Sequence, residues 1–265
     1  MLKRLVFFAY GAAAYLVFLA TFLYAIAFVG GFAVPARLDG AAEGPLALAL
    51  AIDAALLTVF AVQHSVMARR WFKDWWTQIV PWTIERSTFV LFASLALILL
   101  FWQWRPIGIE IWTVDNPFIR AVLWALFAAG WGTVLVVTFL INHFDLFGLR
   151  QVWLPLTGRP YTRIEFRTPL PYRYVRHPLY FGFLLAFWMT PTMTFAHLVF
   201  AAATTAYIVL AIQFEERDLV REYGSAYEEY RRRVPMLLPA TRDRRPPAPQ
   251  SAPSAIGSRT PHPQP

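Results

Sequence analysis

Long uncharged segments alternate with short charged segments along most of the chain. Four apolar segments approach or exceed the roughly 20 residues that cross a bilayer core as an α-helix. They are residues 5–33, 45–67, 87–104 and 121–141. The first is too long to be the core of a cleaved signal peptide, which is about 7–15 residues. The pattern therefore predicts four transmembrane helices within the first 141 residues.

A fifth uncharged segment runs for 36 residues, from Leu179 to Phe214. As a straight helix it would be about 54 Å long at about 1.5 Å per residue, compared with about 30 Å for the bilayer core. Pro191 lies within it, and proline removes a backbone donor and clashes with the preceding helical turn. The segment is therefore expected to form either a helical hairpin or one kinked, strongly tilted helix.

The distribution of Lys and Arg decides between these two forms. If the segments rich in Lys and Arg are cytoplasmic, 21 of the 24 such residues lie on that side, and only Arg37, Arg105 and Arg120 lie opposite. The loop before the 36-residue segment and the tail after it are both rich in Arg, so the segment begins and ends in the cytoplasm, as a hairpin does. We predict an all-α, polytopic membrane bundle of five to six transmembrane segments with a C-terminal hairpin, located in the cytoplasmic (inner) membrane with both termini cytoplasmic.

The polar segments complete the predicted organisation. A loop rich in Pro, Gly and aromatic residues follows the fourth span, and we expect it to fold as a cap against the membrane. After the hairpin, apolar positions recur at three- and four-residue steps, which predicts an amphipathic helix along the membrane interface; they are Leu219, Tyr223, Tyr227, Tyr230 and Val234. Seven of the last twenty residues are proline, which predicts a disordered tail. The predicted regions are 1–141 (transmembrane helices), 142–239 (cap loop, hairpin and candidate site) and 240–265 (tail).

Composition excludes several kinds of site. The chain is 58% hydrophobic and 15% charged, whereas soluble domains are about 25% charged. It has no cysteine, which excludes disulfides, thiolate zinc sites, iron–sulfur clusters and a cysteine nucleophile. Five scattered histidines match no metal-binding spacing, so no metal site is predicted. The net charge is +8, and the Lys and Arg residues lie beside the apolar segments, which favours contact with anionic lipid. No nucleic-acid partner is predicted.

The densest polar cluster at an apolar boundary is YRYVRHPLYFG, residues 172–182. Pro178 disfavours a helical conformation at His177 and suits the first position of a helix. Arg176 and His177 are thereby placed at a positively polarised helix N-terminus, which suits an anion such as a carboxylate. An interfacial anchor, with arginines facing lipid headgroups, explains the same residues equally well.

Two adjacent carboxylates, Glu215 and Glu216, lie at the other end of the hairpin segment. Unpaired charge near hydrocarbon is costly, and a hairpin brings them to the same membrane face as Arg176 and His177. We therefore predict ion pairs between the two groups. They would form either a binding site or a salt bridge that only clamps the ends of the hairpin.

Together these residues resemble the C-terminal motifs of the isoprenylcysteine carboxyl methyltransferase superfamily, membrane enzymes that use S-adenosylmethionine. The matching stretches are RHPLYFG at 176–182, EERDL at 215–219 and YGSAYEEYRRRVP at 223–235. Residues 1–240, including HFDLFGLRQVW at 143–153, more closely resemble the bacterial membrane-bound methanethiol S-methyltransferases, which are related to the NnrU group. This resemblance implies S-adenosylmethionine-dependent methylation of methanethiol, a small volatile thiol, to dimethyl sulfide.

The resemblance also implies a set of site residues. The cofactor-binding residues would be Arg176, His177, Tyr180, Gly182, Glu215 and Glu216. Arg176 and Glu216 would also be catalytic, and His143 is a second candidate for favouring the thiolate. Arg176 or His177 would bind the carboxylate of S-adenosylmethionine, and Glu215 or Glu216 would accept hydrogen bonds from its ribose or amino group.

Some alternatives stay open at this point. The methyl acceptor could instead be an isoprenylcysteine or lipid-like molecule, and a non-catalytic membrane protein of the NnrU type or a transporter is a further alternative. The oligomeric state is not predicted. Asp53 and His64 lie within apolar segments; we expect Asp53 to be protonated and hydrogen-bonded between helices, and His64 to be a satisfied histidine near the interface.

Overall fold

A computed structural model describes residues 1–42, 44–162 and 169–238. In chain order the elements are α1 (Leu2–Gly30), α2 (Leu46–Ala68), α3 (Arg70–Trp76), α4 (Trp82–Gln103), β1 (Glu110–Thr113), α5 (Pro117–Ile141), α6 (His143–Leu146), α7 (Leu149–Leu156), a 3₁₀ turn (Leu170–Arg173), α8 (Pro178–Trp188), β2 (Thr192–Thr194), α9 (Phe195–Tyr223) and α10 (Ser225–Arg233). The predicted disordered tail at 240–265 and residues 163–168 of the predicted cap loop lie outside the described residues.

Five of these helices, α1, α2, α4, α5 and α9, are long and apolar enough to cross a membrane, with mean hydropathies of 1.9 to 2.2. The sixth apolar helix, α8, has only 11 residues, and at about 1.5 Å per residue it reaches little more than halfway across a bilayer core. The prediction of an all-α polytopic bundle with five to six membrane segments is confirmed. The protein is a multi-pass membrane protein.

The 36-residue apolar segment forms a hairpin. Its first arm, α8, ends at Trp188, and α9 begins at Phe195 after an extended break that contains Pro191. The indole Nε1 of Trp188 donates a hydrogen bond to Thr205 Oγ1 at 3.0 Å, and Arg176, just before α8, contacts Glu216 near the end of α9. Since both ends of the segment meet, the two arms are antiparallel. The hairpin prediction is correct, and the single tilted helix is excluded.

The tip of the hairpin is held by polar contacts that the sequence patterns did not predict. Strands β1 and β2 pair antiparallel, so the tip joins the loop between α4 and α5. The buried His197 lies with Nδ1 2.7 Å from Asp39 Oδ2 and Nε2 2.9 Å from the Phe187 carbonyl oxygen. The other oxygen of Asp39 accepts the backbone N–H of Thr194 at 3.0 Å. These bonds fix the turn between α8 and α9 to the loop that follows α1.

The short arm of the hairpin lies directly against α5. A Cβ atom added to Gly182 would lie 2.8 Å from the carbonyl oxygen of Gly130, and one added to Gly130 would lie 2.6 Å from the backbone nitrogen of Ala186. Both distances are too short for a real side chain, so the two backbones are in contact through these glycines. This crossing sets the position of the N-terminus of α8, where the candidate site begins.

Candidate functional site at the ends of the hairpin

Arg176, His177 and Glu216 form the centre of a polar cluster where the two hairpin arms end. Pro178 occupies the first turn of α8, and His177 before it has φ of −126° and ψ of 65°, outside the helical region, as the sequence predicts. The Nε atom of Arg176 donates to Glu216 Oε1 at 2.7 Å, and His177 Nε2 lies 3.1 Å from the same oxygen. The Arg176 and Glu216 side chains are 10% and 11% exposed. The predicted contact between the two charged groups therefore exists and is largely buried.

The chain after α10 holds the Arg176–His177 segment in place. The Nη1 atom of Arg176 donates to the carbonyl oxygen of Val234 at 2.5 Å. The backbone N–H groups of Arg176 and His177 donate to the carbonyl oxygens of Pro235 and Met236 at 2.9 and 3.1 Å. Four donors of this segment thus have partners within the protein, and the arginine is held in one orientation.

The two adjacent glutamates have different environments. The Glu215 side chain is 47% exposed, whereas the Glu216 side chain is 11% exposed. The hydroxyl of Tyr180 donates to Glu215 Oε2 at 3.1 Å, and His177 Nδ1 lies 3.8 Å from that oxygen. Glu216 is therefore committed to partners inside the protein, while Glu215 and Tyr180 face a region that a ligand from solvent can reach.

Three tyrosines surround the cluster: Tyr227 is buried, and Tyr172 and Tyr230 are partly buried. The hydroxyl of Tyr230 donates to the carbonyl oxygen of Tyr172 at 2.7 Å. Burial, together with the nearby Glu216 carboxylate, raises the pKa of Tyr227 to about 12. Burial also raises the pKa of Tyr172 and of Tyr230 well above the ordinary value. All three hydroxyl groups therefore stay protonated at neutral pH.

The predicted amphipathic helix is divided at Gly224, whose φ of 56° is in the left-handed region that favours glycine. Leu219 and Tyr223 belong to α9, whereas Tyr227 and Tyr230 belong to α10. The break folds α10 back on the end of α9, and Tyr227 is only 2% exposed. The prediction of a single amphipathic helix is therefore wrong, and Gly224 is the residue in the sequence that could have indicated two helices. The position of α10 at the membrane interface stays a prediction.

His143 lies apart from this cluster. Its Nε2 is 2.9 Å from the Tyr15 hydroxyl and its Nδ1 is 2.8 Å from Thr138 Oγ1. Its ring stacks on Phe139 with the centroids 4.1 Å apart. Burial lowers the pKa of His143, which favours the neutral imidazole. Both ring nitrogens are therefore used for contacts with α1 and α5.

Three other residues considered from the sequence have defined surroundings. Gly182 lies where α8 crosses α5, so the structure shows a packing contact for this residue. Its role in cofactor binding stays a prediction. Asp53 is 1% exposed, and its Oδ1 accepts the backbone N–H of Arg105 at 2.9 Å, a contact with a loop and not with a second helix. The Nδ1 atom of His64 is buried without a partner among the described residues. The expectation of a satisfied histidine is wrong for this nitrogen.

Contacts between α2 and α9 extend the cluster toward the interior. Arg69 Nη1 lies 3.3 Å from Asp218 Oδ2, and Ser65 Oγ lies 3.0 Å from the Tyr207 hydroxyl. None of these four residues was predicted to belong to the site, because a contact between helices that are distant in sequence leaves no local pattern. Within the described ranges, no three His, Asp or Glu side chains are grouped as ligands of a metal ion.

Comparison with known proteins identifies the family. The chain is 57% identical over 238 residues to a methanethiol S-methyltransferase of Crocosphaera subtropica, a match that covers 90% of this chain and 93% of the relative. It is 58% identical over 238 residues to that of Mycobacterium tuberculosis, covering 90% and 98%. The chain belongs to the methanethiol S-methyltransferase family. A further member, methanethiol S-methyltransferase 1 of Bradyrhizobium diazoefficiens, is 53% identical over 236 residues, which are 89% of this chain and 83% of the relative.

More distant relatives connect the methanethiol S-methyltransferase family to a wider group. Nurim of Mus musculus is 29% identical over 178 residues, covering 64% of this chain and 68% of Nurim. This similarity agrees with the resemblance to the isoprenylcysteine carboxyl methyltransferase superfamily. No family model and no solved structure matches the chain. The resemblance drawn from the sequence motifs is therefore confirmed, and the chain is a member of a family of methyltransferases.

Proposed function

We propose that this protein transfers a methyl group from S-adenosylmethionine to methanethiol and releases dimethyl sulfide. The observation that carries the proposal is the charged cluster of Arg176, His177, Glu215 and Glu216 where the hairpin arms end. Relatives named methanethiol S-methyltransferase, at 57% and 58% identity over nearly their whole lengths, support the choice of substrate. We further propose that the cluster faces the cytoplasm, with both termini on that side of the inner membrane.

The chemistry of the cluster fits S-adenosylmethionine. This methyl donor carries a carboxylate, an amino group, ribose hydroxyls and a sulfonium cation. The cluster offers a guanidinium at Arg176, a half-exposed carboxylate at Glu215 and the hydroxyl of Tyr180 beside it. Charges of both signs thus lie close together, as a zwitterionic ligand requires.

Each residue then has a distinct role. Arg176 and His177 bind the carboxylate of S-adenosylmethionine. Because Glu216 and Val234 already accept hydrogen bonds from two nitrogens of Arg176, this arginine acts through its charge and its remaining amino group. Glu215 accepts hydrogen bonds from the amino group or the ribose. Glu216 orients Arg176 and His177 and so acts as a positioning residue. The predicted catalytic role of Arg176 is thereby one of binding the methyl donor.

Bound S-adenosylmethionine supplies an activated methyl group, so the protein needs to supply little acid–base chemistry. Transfer to sulfur is an in-line displacement, and its rate depends on the orientation of the two reactants and on exclusion of water. The return of α10 over the cluster, with Tyr227 buried, helps to exclude water there. A thiol reacts as its thiolate, so removal of the thiol proton is the one acid–base step.

An isotope experiment tests the proposed reaction. The full chain, purified into lipid nanodiscs, is given methanethiol and S-adenosylmethionine with a deuterated methyl group, and the headspace is analysed by mass spectrometry. We expect dimethyl sulfide that carries one deuterated methyl group. If the protein instead methylates only an isoprenylcysteine, the acceptor is wrong; if it does not bind S-adenosylmethionine, the protein is not a methyltransferase of this kind.

A further inference from the structure

A group of polar atoms without partners lies at the end of α2 that faces the charged cluster. Among the buried side-chain atoms of the described residues, Gln63 Oε1, His64 Nδ1 and Trp76 Nε1 have no hydrogen-bond partner. Buried polar atoms in folded proteins are nearly always hydrogen-bonded, so these three atoms, two in α2 and one in α3, require an explanation. The salt bridge between Arg69 and Asp218 places this end of α2 beside the end of α9.

The three side chains adjoin one apolar cluster. Gln63 Nε2 donates a hydrogen bond to Met67 Sδ at 3.1 Å. Met67 and Phe89 belong to one buried cluster, and Trp76 packs against that cluster. The ring of His64 lies 5.0 Å from that of Phe89. The surroundings are therefore aromatic and aliphatic, with unpaired polar atoms at their edge. A small apolar molecule with one weak hydrogen-bond donor, such as methanethiol, matches this combination.

His64 lies near the residues proposed to bind the methyl donor. Its ring stacks on Phe60 with the centroids 5.4 Å apart, and Phe60 lies edge-on to Tyr207 at 6.4 Å. Tyr207 in turn is close enough to Tyr180 to interact with it electrostatically, and Tyr180 bonds to Glu215. Ring contacts thus lead from His64 through Phe60 to Tyr207, and Tyr207 lies on the side of Tyr180 and Glu215.

The charge beside His64 suits a thiolate. The Arg86 guanidinium on α4 lies over the ring of Phe89, 4.9 Å from its centroid, and it acts electrostatically on His64. On the side of α9, the hydroxyl of Tyr207 is bonded to Ser65, the residue that follows His64 in α2. The positive charge of Arg86 stabilises an anionic sulfur nearby, although the carboxylates of Glu85 and Asp145 also act on this guanidinium.

The other described histidines are occupied. His143 is bonded at both ring nitrogens to Tyr15 and Thr138, and His197 is bonded at both to Asp39 and Phe187. His177 is committed to the two glutamates. Of the four histidines that the structure describes, His64 has the ring nitrogen that can accept a proton without breaking a bond already made.

We propose that Gln63, His64 and Trp76 form the binding site of the methyl-accepting thiol, and that His64 Nδ1 takes the thiol proton. The inference rests on the proposed function. The S–H bond breaks and its proton goes to Nδ1, the thiol sulfur forms a bond to the donor methyl group, and the electron pair of the broken donor C–S bond stays on the donor sulfur. The imidazolium then releases its proton to water. In this role His64 replaces His143 as the residue that favours the thiolate.

The variant His64→Asn tests the proton transfer, because asparagine keeps a hydrogen-bonding atom near the Nδ1 position but cannot take a proton. Nanodisc-reconstituted His64→Asn should bind S-adenosylmethionine within about twofold of the parent, and its kcat with methanethiol should fall by roughly 100-fold. Two thiols of similar size, ethanethiol and the more acidic trifluoroethanethiol, separate the roles. The loss of kcat should be large with ethanethiol and less than about tenfold with trifluoroethanethiol, because the more acidic thiol forms its thiolate more readily without a base.

Equal losses with both thiols would contradict the proton transfer, and a parental rate with methanethiol would exclude His64 from the site. If His64→Asn does not bind S-adenosylmethionine, the parent is used instead: methanethiol must slow modification of His64 by diethyl pyrocarbonate, measured by mass spectrometry with His143 as the internal reference. Unchanged modification overturns the inference. A parent that methylates no thiol overturns the proposed function itself, which distinguishes the two failures.

Discussion

At the scale of single residues, Glu215 and Glu216 are neighbours in the chain with different surroundings. Glu216 is buried between Arg176 and His177, and Glu215 reaches the surface beside Tyr180. Their difference could not be assigned from the sequence, because two carboxylates side by side on a helix point 100° apart and the partner of each depends on the other arm of the hairpin.

Glu216→Gln and Glu215→Gln should therefore differ in kind. Glu216→Gln leaves the largely buried guanidinium of Arg176 without its anion, and we expect a loss on the order of 3 kcal/mol in the free energy of unfolding. Glu215→Gln removes a half-exposed charge, so stability should change by less than about 1 kcal/mol. Its affinity for S-adenosylmethionine should fall about tenfold, through loss of a charge-assisted hydrogen bond.

Thermal unfolding followed by tryptophan fluorescence and calorimetric titration with S-adenosylmethionine measure the two effects. Glu229→Gln is the matched control, because Glu229 is an exposed residue of α10 that pairs only with Arg233 in the described residues. Equal destabilisation by Glu215→Gln and Glu216→Gln, or parental binding by Glu215→Gln, would show that the assignment of the two glutamates is wrong.

Part of the site was predictable at this scale and part was not. The pairing of Arg176 and His177 with the glutamates followed from charge cost and the hairpin. The surroundings of His143 and His64 did not follow, since each depends on contacts with helices far away in sequence: His143 meets Tyr15 of α1, and His64 meets Phe89 of α4. The partners of a histidine, more than its position in a motif, determine whether it can accept a proton.

At the scale of elements, the contact between α5 and α8 positions the start of the hairpin. Gly130 and Gly182 allow the two backbones to touch, as small residues do at many helix contacts in membranes. The hydropathy pattern predicted both helices, but an apolar segment surrounded by lipid has no polar face that shows which side meets a neighbour. The glycine contact was therefore beyond sequence reasoning.

Gly130→Ala should destabilise the protein, because its methyl group would meet the backbone of α8 at 2.6 Å. We expect a loss of about 1–3 kcal/mol, typical of overpacking. Gly132→Ala is the control: it lies in the same helix, and nothing lies within 4 Å of its added Cβ. That variant should be neutral or more stable by up to about 1 kcal/mol, since alanine favours a helix.

The same unfolding measurement compares the two alanine variants. A Gly130→Ala protein as stable as Gly132→Ala would mean that α5 and α8 do not touch as described. Gly130 is not among the proposed donor-binding residues, so this result concerns helix packing alone.

At the scale of the whole molecule, five long helices and one short arm place the charged cluster at one end of the bundle. The lengths of the apolar segments predicted the membrane-spanning helices, and the distribution of Lys and Arg predicted the hairpin. It could not predict the β1–β2 pair or the Asp39–His197 contact at the other end. Those contacts join segments that lie about eighty residues or more apart in the chain, and such pairings leave no periodic pattern in the sequence.

The orientation is a prediction that reporter fusions check. A reporter protein that is active only in the cytoplasm should be active when it is fused after Pro239, which follows the Arg-rich segment 231–233. The same reporter should be inactive when it is fused after Gly40, in the loop between α1 and α2. Activity at both positions, or only after Gly40, would contradict the predicted topology. It would also place the charged cluster away from the cytoplasmic pool of S-adenosylmethionine.

The central claim is that the cluster at the ends of the hairpin methylates methanethiol. Its most direct test is headspace gas chromatography of cells fed methanethiol that express either the parent or Arg176→Ala at matched membrane levels. We expect dimethyl sulfide from the parent and at least about tenfold less from Arg176→Ala, which lacks the cation proposed to bind the methyl donor. Equal dimethyl sulfide from the two strains would contradict the claim.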